Sequence, residues 1–437
     1  MSTIVLTNSD DTYSDTPSAD TTVYALDGND TITLGSFGSF SLYPTAFNKY
    51  VEGGAGNDVI STYPGSDDNS DLYADGNNEL YGGSGNDTIT GSNGSDSLYG
   101  GDQNDVISGG LGGDYIEGGS GDDVLFGDGT QGSNGSGPGV HHWNTTPDYL
   151  YGGTGNDTIY AGRDIFAIDV SPGGYSFQGN YAYGGDGNDL IVGSNGNGTD
   201  YLSGGNGNDT ILTASGVALG DAGNDLITGG ATDDLLYGGS GNDTLYGGNG
   251  NDTLVGDQGI DLLEGDAGND WLYAGQGNGS NLYGGLGNDV LIATQGSVVF
   301  NGDDGNDVMY GNTGNDYFYG GNGDDTMYGG DGIDVLLGGA GNDYFDGGTG
   351  VNYYFGGGGA DTFVSNDVPS VQVIQDWDPT SDVVQFNGSG FASFSDVLSH
   401  AYQNGAYLVV QVDADTAVWL NGATVSTITA SNFSIVS

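Results

Sequence analysis

The sequence predicts an all-β chain: a parallel β-roll, or β-solenoid, with a short N-terminal β cap and a small β-rich domain at its C-terminal end. Three observations carry this. A nine-residue phrase, Gly-Gly-x-Gly-x-Asp-x-Φ-x with Φ apolar, recurs between residues 53 and 364; clean copies run Gly53–Ser61, Gly82–Thr90 and Gly247–Val255. Glycine supplies 90 of the 437 residues. Finally, 60 acidic residues stand against two basic ones, Lys49 and Arg163, for a net charge of −58.

The first six positions of the phrase read as turn, because glycine permits left-handed and tightly bent backbone. Positions seven to nine read as a minimal strand with one apolar side chain facing a core. A glycine turn that bends carbonyls toward a carboxylate is a site for a hard cation, and many such turns stacked with short strands make a calcium-binding β-solenoid.

Three regions follow along the chain. Residues 1–52 contain short β-like pieces (Thr3–Leu6, Thr21–Leu26, Thr31–Leu34) and a partial repeat at Leu26–Thr33, and are expected to cap the open end of the stack. Residues 53–364 are the repeats. In residues 365–437 glycine thins out: Ser393–Asp396 has the form of a capping box opening a short helix to about Gln403, stopped by Gly405, and Tyr407–Val412 with Thr416–Leu420 reads as a hairpin.

Two nonapeptides make one coil, so the sixth-position aspartates fall into two columns. One holds Asp87, Asp105, Asp123, Asp157, Asp189, Asp209, Asp225, Asp243 and Asp261, breaks at 274–301, and resumes at Asp316 and Asp334. The other holds Asp58, Asp96 and Asp114, breaks at 127–219, and continues through Asp234, Asp252, Asp270, Asp289, Asp307, Asp325, Asp343 and Asp361. Coils about 4.8 Å apart, roughly 17 of them, would give a stack about 80 Å long. Its core, one residue per strand (Ile60, Ile89, Leu98, Ile107, Leu245, Leu254, Met309, Met327), is too thin to offset the ordering of so glycine-rich a backbone. Metal is expected to supply the difference.

The composition of the acids supports that reading. Only Glu52, Glu79, Glu117 and Glu264 are glutamates; the rest are aspartate, the shorter carboxylate that reaches its own turn. The charge argues against nucleic-acid and anionic-membrane partners. The absence of cysteine excludes disulfides and thiolate metal sites. Met1–Thr7 has neither a basic region nor a long apolar one, so a Sec signal is not expected, and no apolar run approaches the roughly 20 residues of a membrane span.

These repeats resemble the RTX (repeats-in-toxin, hemolysin-type) calcium-binding family. The resemblance implies calcium between stacked turns, held by backbone carbonyls and by the aspartates of both turns, and hence about 17 ions along the two columns. Asn78 and Asn352 stand where aspartate is usual, and Gln103 and Thr232 replace the fourth-position glycine. Gly359–Val364 followed by Val373–Asp378 resembles the family's C-terminal export block, with Trp377 where phenylalanine is usual. That implies one-step type I export by its dedicated machinery.

Catalytic signatures are absent from the sequence. The histidines are His141, His142 and His400, with no H-E-x-x-H, and no G-x-S-x-G occurs. The irregular segments are two enlarged turns, 127–148 with His141, His142 and Trp143, and 161–180 with Arg163, Phe166, Tyr175 and Phe177. They read either as a mutually packed bulge or as a recognition surface. Tyrosines at the ninth position, such as Tyr81, Tyr99, Tyr310 and Tyr328, are expected to line the outer sheet faces, shielding backbone or meeting a neighbour or a glycan. The expectation is a secreted, non-enzymatic, calcium-folded and self-associating component of a bacterial surface layer, filament or matrix. The alternative is a calcium-dependent adhesin for cell-surface glycan.

Overall fold

The structure is a computed structural model that describes residues 2–14, 21–34, 49–62, 77–92, 94–110, 112–128, 148–161, 179–194 and 199–436. His141, His142, Trp143, Arg163, Phe166, Tyr175 and Phe177 lie outside the described residues. The chain divides into two compact units, Met1–Ile227 and Thr228–Ser437, each built as a parallel β-solenoid.

In Met1–Ile227 one sheet runs in parallel register from Ser2–Val5 through Thr21–Tyr24, Lys49–Ala55, Glu79–Ser84, Ser97–Asp102, Tyr115–Ser120, Tyr149–Thr154 and Tyr181–Asp186 to Asp200–Asn206 and Gly216–Ala222. The opposite sheet steps from Thr12–Ser14 through Thr31–Leu34, Val59–Thr62, Thr88–Thr90, Val106–Gly110, Val124–Asp128 and Thr158–Tyr160 to Leu190–Val192 and Thr210–Leu212. Parallel pairing therefore already includes strands within the first 52 residues. Each strand sends one apolar side chain inward, as at Ile60, Leu80, Ile89, Leu98 and Ile107, all essentially without exposure.

In Thr228–Ser437 two parallel ladders run from Leu235–Ser240 to Phe433–Val436 and from Thr244–Asn249 to Thr416–Asn421. Here the inward residues grow to Phe300, Phe318, Phe345, Tyr354 and Phe363, with Phe300 stacked on Phe318 at 4.6 Å. The C-terminal segment continues the coil. Ser370–Ile374 pairs in parallel with Thr349–Gly358 and with Thr416–Asn421, and Val383–Asn387 pairs in parallel with Thr362–Ser365 and Phe433–Val436. Among the described residues no helix is long and apolar enough to cross a membrane.

Two local expectations are corrected. Strands are not confined to positions seven to nine: Glu79–Ser84, Leu235–Ser240 and Thr244–Asn249 also take in the first three positions of the following repeat. Glycine lets the chain bend there while its amides still pair with the next coil, Gly83 opposite Gly101. The helix begun by Ser393, whose side chain accepts from the Asp396 amide, spans only Phe394–Ser399. Ala401–Asn404 leaves it to pair antiparallel with Tyr407–Gln411, so Gly405 (φ +62°) turns a hairpin and stops no helix.

Candidate metal centres

Each glycine of the turn has its own reason. At the second and fourth positions the backbone is left-handed (Gly83 φ +115°, Gly85 φ +135°), and a Cβ on Gly83 would stand 2.0 Å from the Gly54 carbonyl oxygen of the adjacent coil. Asp221, Asp257, Asp266 and Asp303 adopt φ of 69–71° at the second position, as aspartate tolerates, and Gln103 takes +76° at the fourth. The first-position glycine answers to a different neighbour. A Cβ on Gly82 would meet Asp87 Oδ2 at 2.3 Å and the Gly100 carbonyl at 2.7 Å; on Gly152, Asp157 Oδ2 at 2.4 Å and the Gly184 carbonyl at 2.5 Å. The sixth-position carboxylate thus folds back over the first glycine, beside a carbonyl presented by the next coil.

The aspartates form ladders inside the turns. In Met1–Ile227 the amide of Asp58 donates to Asp87 Oδ1 (2.7 Å), and the same bond repeats through Asp105, Asp123, Asp157, Asp189, Asp209 and Asp225. The ladder begins one coil earlier still, with the Asp11 amide bonded to Asp30 Oδ1 and the Asp30 amide to Asp58 Oδ1. Asp58 therefore belongs with Asp87, not with Asp96 as the nonapeptide count suggests. The second ladder of this unit starts where the Lys49 amide meets Asn78 Oδ1 and runs through Asp96 and Asp114. It does not end there, because Asp148, Asn180 and Asp200 continue it. The expected break at 127–219 is corrected accordingly.

In Thr228–Ser437 one ladder links Asp234, Asp252, Asp270, Asp289, Asp307, Asp325, Asp343 and Asp361, then reaches Asp382. The other joins Asp243 to Asp261, passes Ser280, resumes where the Val298 amide meets Asp316, and goes on through Asp334 to Asn352. Here the expected gap is real in charge but not in geometry: Ser280 and Val298 occupy the ladder positions without a carboxylate. Asp148, Asp200 and Asp382 are positions the nonapeptide pattern does not reveal, and Asp30, inside the partial repeat Leu26–Thr33, falls in neither predicted column. All four precede a buried apolar residue by two, and that D-x-Φ-x signal survives loss of the glycine turn.

These carboxylates are buried, with Asp252, Asp270, Asp289 and Asp334 fully covered. Oδ1 is satisfied by the neighbouring amide, but Oδ2 has no hydrogen-bond partner at Asp58, Asp87, Asp105, Asp123, Asp157, Asp189 and Asp209, nor at Asp252, Asp261, Asp270, Asp289, Asp307, Asp316, Asp325, Asp334 and Asp343. Burial pushes Asp87 and Asp123 up to about 6 and Asp105 and Asp157 to about 7. Asp270, Asp307, Asp316 and Asp325 rise to about 7 for the same reason. A buried oxygen anion beside a carbonyl oxygen is costly unless a proton or a cation stands between them.

That donor set fits a hard divalent cation. It is all oxygen, and it recurs along each ladder wherever an aspartate holds the position. No three carboxylate, imidazole or thiolate side chains converge among the described residues, so a cation held here takes most of its oxygens from the backbone. Calcium, when bound, supplies positive charge to pairs of stacked carboxylates and ties neighbouring coils together. One turn is built to do without it: at Gly347, Asn352 Nδ2 donates to the Gly347 carbonyl (2.8 Å) and the Tyr354 hydroxyl accepts the Gly347 amide (2.9 Å).

The model for the RTX calcium-binding nonapeptide repeat matches residues 8–37, 48–68, 74–107, 99–130, 144–164, 179–199, 217–245, 246–280, 283–318, 301–336 and 328–363, more than half of the chain. The chain belongs to the RTX calcium-binding repeat family. No curated protein matches the sequence. Two solved structures are similar to this RTX chain at 18% identity each. The extracellular lipase LipA of Serratia marcescens is matched over 64% of this chain with a TM-score of 0.21, and the chain spans 44% of that lipase's length. A hyperactive, Ca2+-dependent, β-helical antifreeze protein from an Antarctic bacterium is matched over 86% of both chains with a TM-score of 0.26. At these scores neither likeness bears on the activity of the RTX chain.

Proposed function

We propose that this RTX protein is a secreted, non-enzymatic structural component of a bacterial exterior, a surface layer, filament or matrix, that folds when it meets calcium. The observation that supports this is the set of buried aspartate ladders in which Oδ2 of residues such as Asp87, Asp123, Asp270 and Asp325 lies beside a carbonyl without a hydrogen-bond partner. Such a turn is unfavourable without a cation and rigid with one. On this reading each interval between consecutive ladder aspartates takes one calcium, with apparent midpoints near about 10⁻⁴ to 10⁻³ M, as for extracellular modules. A chain of charge −58 then stays extended in the low-calcium cytosol and folds outside. The C-terminal export block supports type I export, and calcium lowers the repulsion that keeps such acidic chains apart.

Circular dichroism and light scattering in excess chelator and in millimolar calcium test this reading together. The expected result is little β signal in chelator, a β-rich fold in calcium, and concentration-dependent assembly that follows the fold. Equal β content in chelator would remove the calcium-driven fold. A strictly monomeric protein at all concentrations would remove the assembly role.

A further inference from the structure

The outer face of the sheet from Ser2–Val5 to Gly216–Ala222 carries tyrosines in neighbouring coils. Tyr81 lies opposite Tyr99 in the register, and Tyr149 and Tyr151 lie opposite Tyr181 and Tyr183. Their rings are face to face. Tyr81 and Tyr99 are 4.6 Å apart at 7°, Tyr149 and Tyr181 4.9 Å at 2°, and Tyr151 and Tyr183 5.1 Å at 5°. Tilted contacts at 5.4–6.1 Å extend the run to Tyr24 and Tyr50 on one side, join Tyr99 to Tyr151 through Tyr115, and reach Tyr201 on the other side. Rings that stack on each other hide their faces, so they offer little to a sugar or a cation that must lie flat on a ring. What they leave to solvent is the hydroxyl and the edge; Tyr149 and Tyr181 are 40% and 37% exposed.

The glutamates mark the same face. Three of the four in the chain, Glu52, Glu79 and Glu117, stand there. The Tyr50 hydroxyl donates to Glu52, that of Tyr81 to Glu79 at 2.5 Å, and that of Tyr115 to Glu117 at 3.2 Å. The hydrogen bond to Glu52, with burial second, pushes the Tyr50 phenol up to about 12. A phenol that stays protonated and already points at a carboxylate can hand over its proton at the moment it loses an electron.

We propose that the stacked pairs Tyr81–Tyr99, Tyr149–Tyr181 and Tyr151–Tyr183 are sites of oxidative dityrosine formation that staple adjacent coils covalently. The oxidant is hydrogen peroxide acting through a heme peroxidase or an equivalent one-electron oxidant. Each phenol gives up one electron and one proton, the proton of Tyr81 passing to Glu79. The two phenoxyl radicals join through a carbon–carbon bond between ring positions ortho to the oxygens. The two ring hydrogens at those carbons then move to the oxygens and restore both phenols. The pair has lost two hydrogens in total, and the peroxide is reduced to two waters. Stacking puts the reacting rings together before oxidation, which favours coupling within the chain over encounter between chains.

The test is peroxidase and hydrogen peroxide on dilute full-length protein in millimolar calcium, read by dityrosine fluorescence and by masses of cross-linked peptides. The expected products are the three stacked pairs within one chain. Tyr99→Phe should remove the Tyr81 link and leave Tyr149–Tyr181 and Tyr151–Tyr183. Glu79→Gln should slow the Tyr81–Tyr99 link while the Tyr149–Tyr181 rate is unchanged. Links scattered among tyrosines that are not register neighbours, links mainly between chains, or no link at all would overturn the proposal. A parallel sample in chelator separates it from the calcium reading. The same three links with the same β signal there would support the staple and count against calcium-driven folding.

Discussion

Acid should substitute for calcium. The ladder carboxylates of Asp270, Asp307 and Asp325 are pushed up to about 7 and that of Asp289 to about 6, with burial as the main cause, against about 3.9 in an unfolded chain. The folded pKa lies above the unfolded one, so the fold binds more protons than the unfolded chain between pH about 4 and 7. Stability drawn from these groups is absent above pH about 7 and grows as the pH falls toward 5. One such proton contributes about 1.4 kcal/mol per pH unit, and the four together about 5.5 kcal/mol per pH unit below pH about 6, where all four differ between the folded and unfolded chain. The perturbation is a drop from pH about 7.5 to about 5 in chelator, still above the isoelectric point of 4.1. The expected result by circular dichroism is a steep gain of β structure in dilute, non-aggregating samples, while calcium affinity weakens over the same range because protons compete for the same oxygens. Relief of general repulsion is a rival cause, and about 1 M salt, with a screening length of ~3 Å, isolates it. A gain of β structure with salt at neutral pH, or none on acidification, would refute the role given to the buried carboxylates.

The ligands and glycines carry the other predictions. Asp270→Ala leaves the Asp252 amide without its acceptor, worth about 1–3 kcal/mol, and takes a carboxylate from two intervals of the ladder, so the calcium midpoint should rise about tenfold or more in a titration of the folded signal. Asn352→Asp replaces the amide that donates to Gly347 with an oxygen facing that carbonyl, so the turn gains a demand for a cation; a calcium titration of the folded signal should show a midpoint that is lower or unchanged. Gly83→Ala should cost at least about 3 kcal/mol, since φ is +115° and the new Cβ would stand 2.0 Å from a backbone oxygen. Gly405→Ala, at φ +62° with nothing within 4 Å, should cost only about 1–2 kcal/mol, and equal losses in calorimetric melts of the two variants would show that inter-coil contact is not what fixes the glycine.

How much of this was legible turns on which residues carry the register. The inward residue of each strand and the sixth-position aspartate were readable because their spacing is strict, and Ile60, Leu98, Leu254 and Met309 sit in the core as that spacing requires. The edge to which an aspartate belongs was not, because it depends on where an insertion leaves and rejoins the coil. Asp58 and Asp87 are bonded across 29 residues and Asp105 and Asp123 across 18, so counting nonapeptides through the longer coil puts Asp58 on the wrong side. The same physics explains the apparent break at 127–219. The glycine turn was the visible part of the repeat, yet glycine only permits the bend, whereas the ladder bond needs an oxygen at one point and an apolar side chain two residues on. Asp148 before Leu150 and Asp200 before Leu202 meet that need without the turn, and Asn78 before Leu80 and Asn180 before Ala182 meet it without the charge. Coil register and metal binding are therefore separable in this chain. An amide or a serine keeps the coil in step, and a carboxylate at the same point adds the demand for a cation, so on the proposed reading the acid-to-amide pattern along a ladder sets where calcium is required and where the fold stands without it.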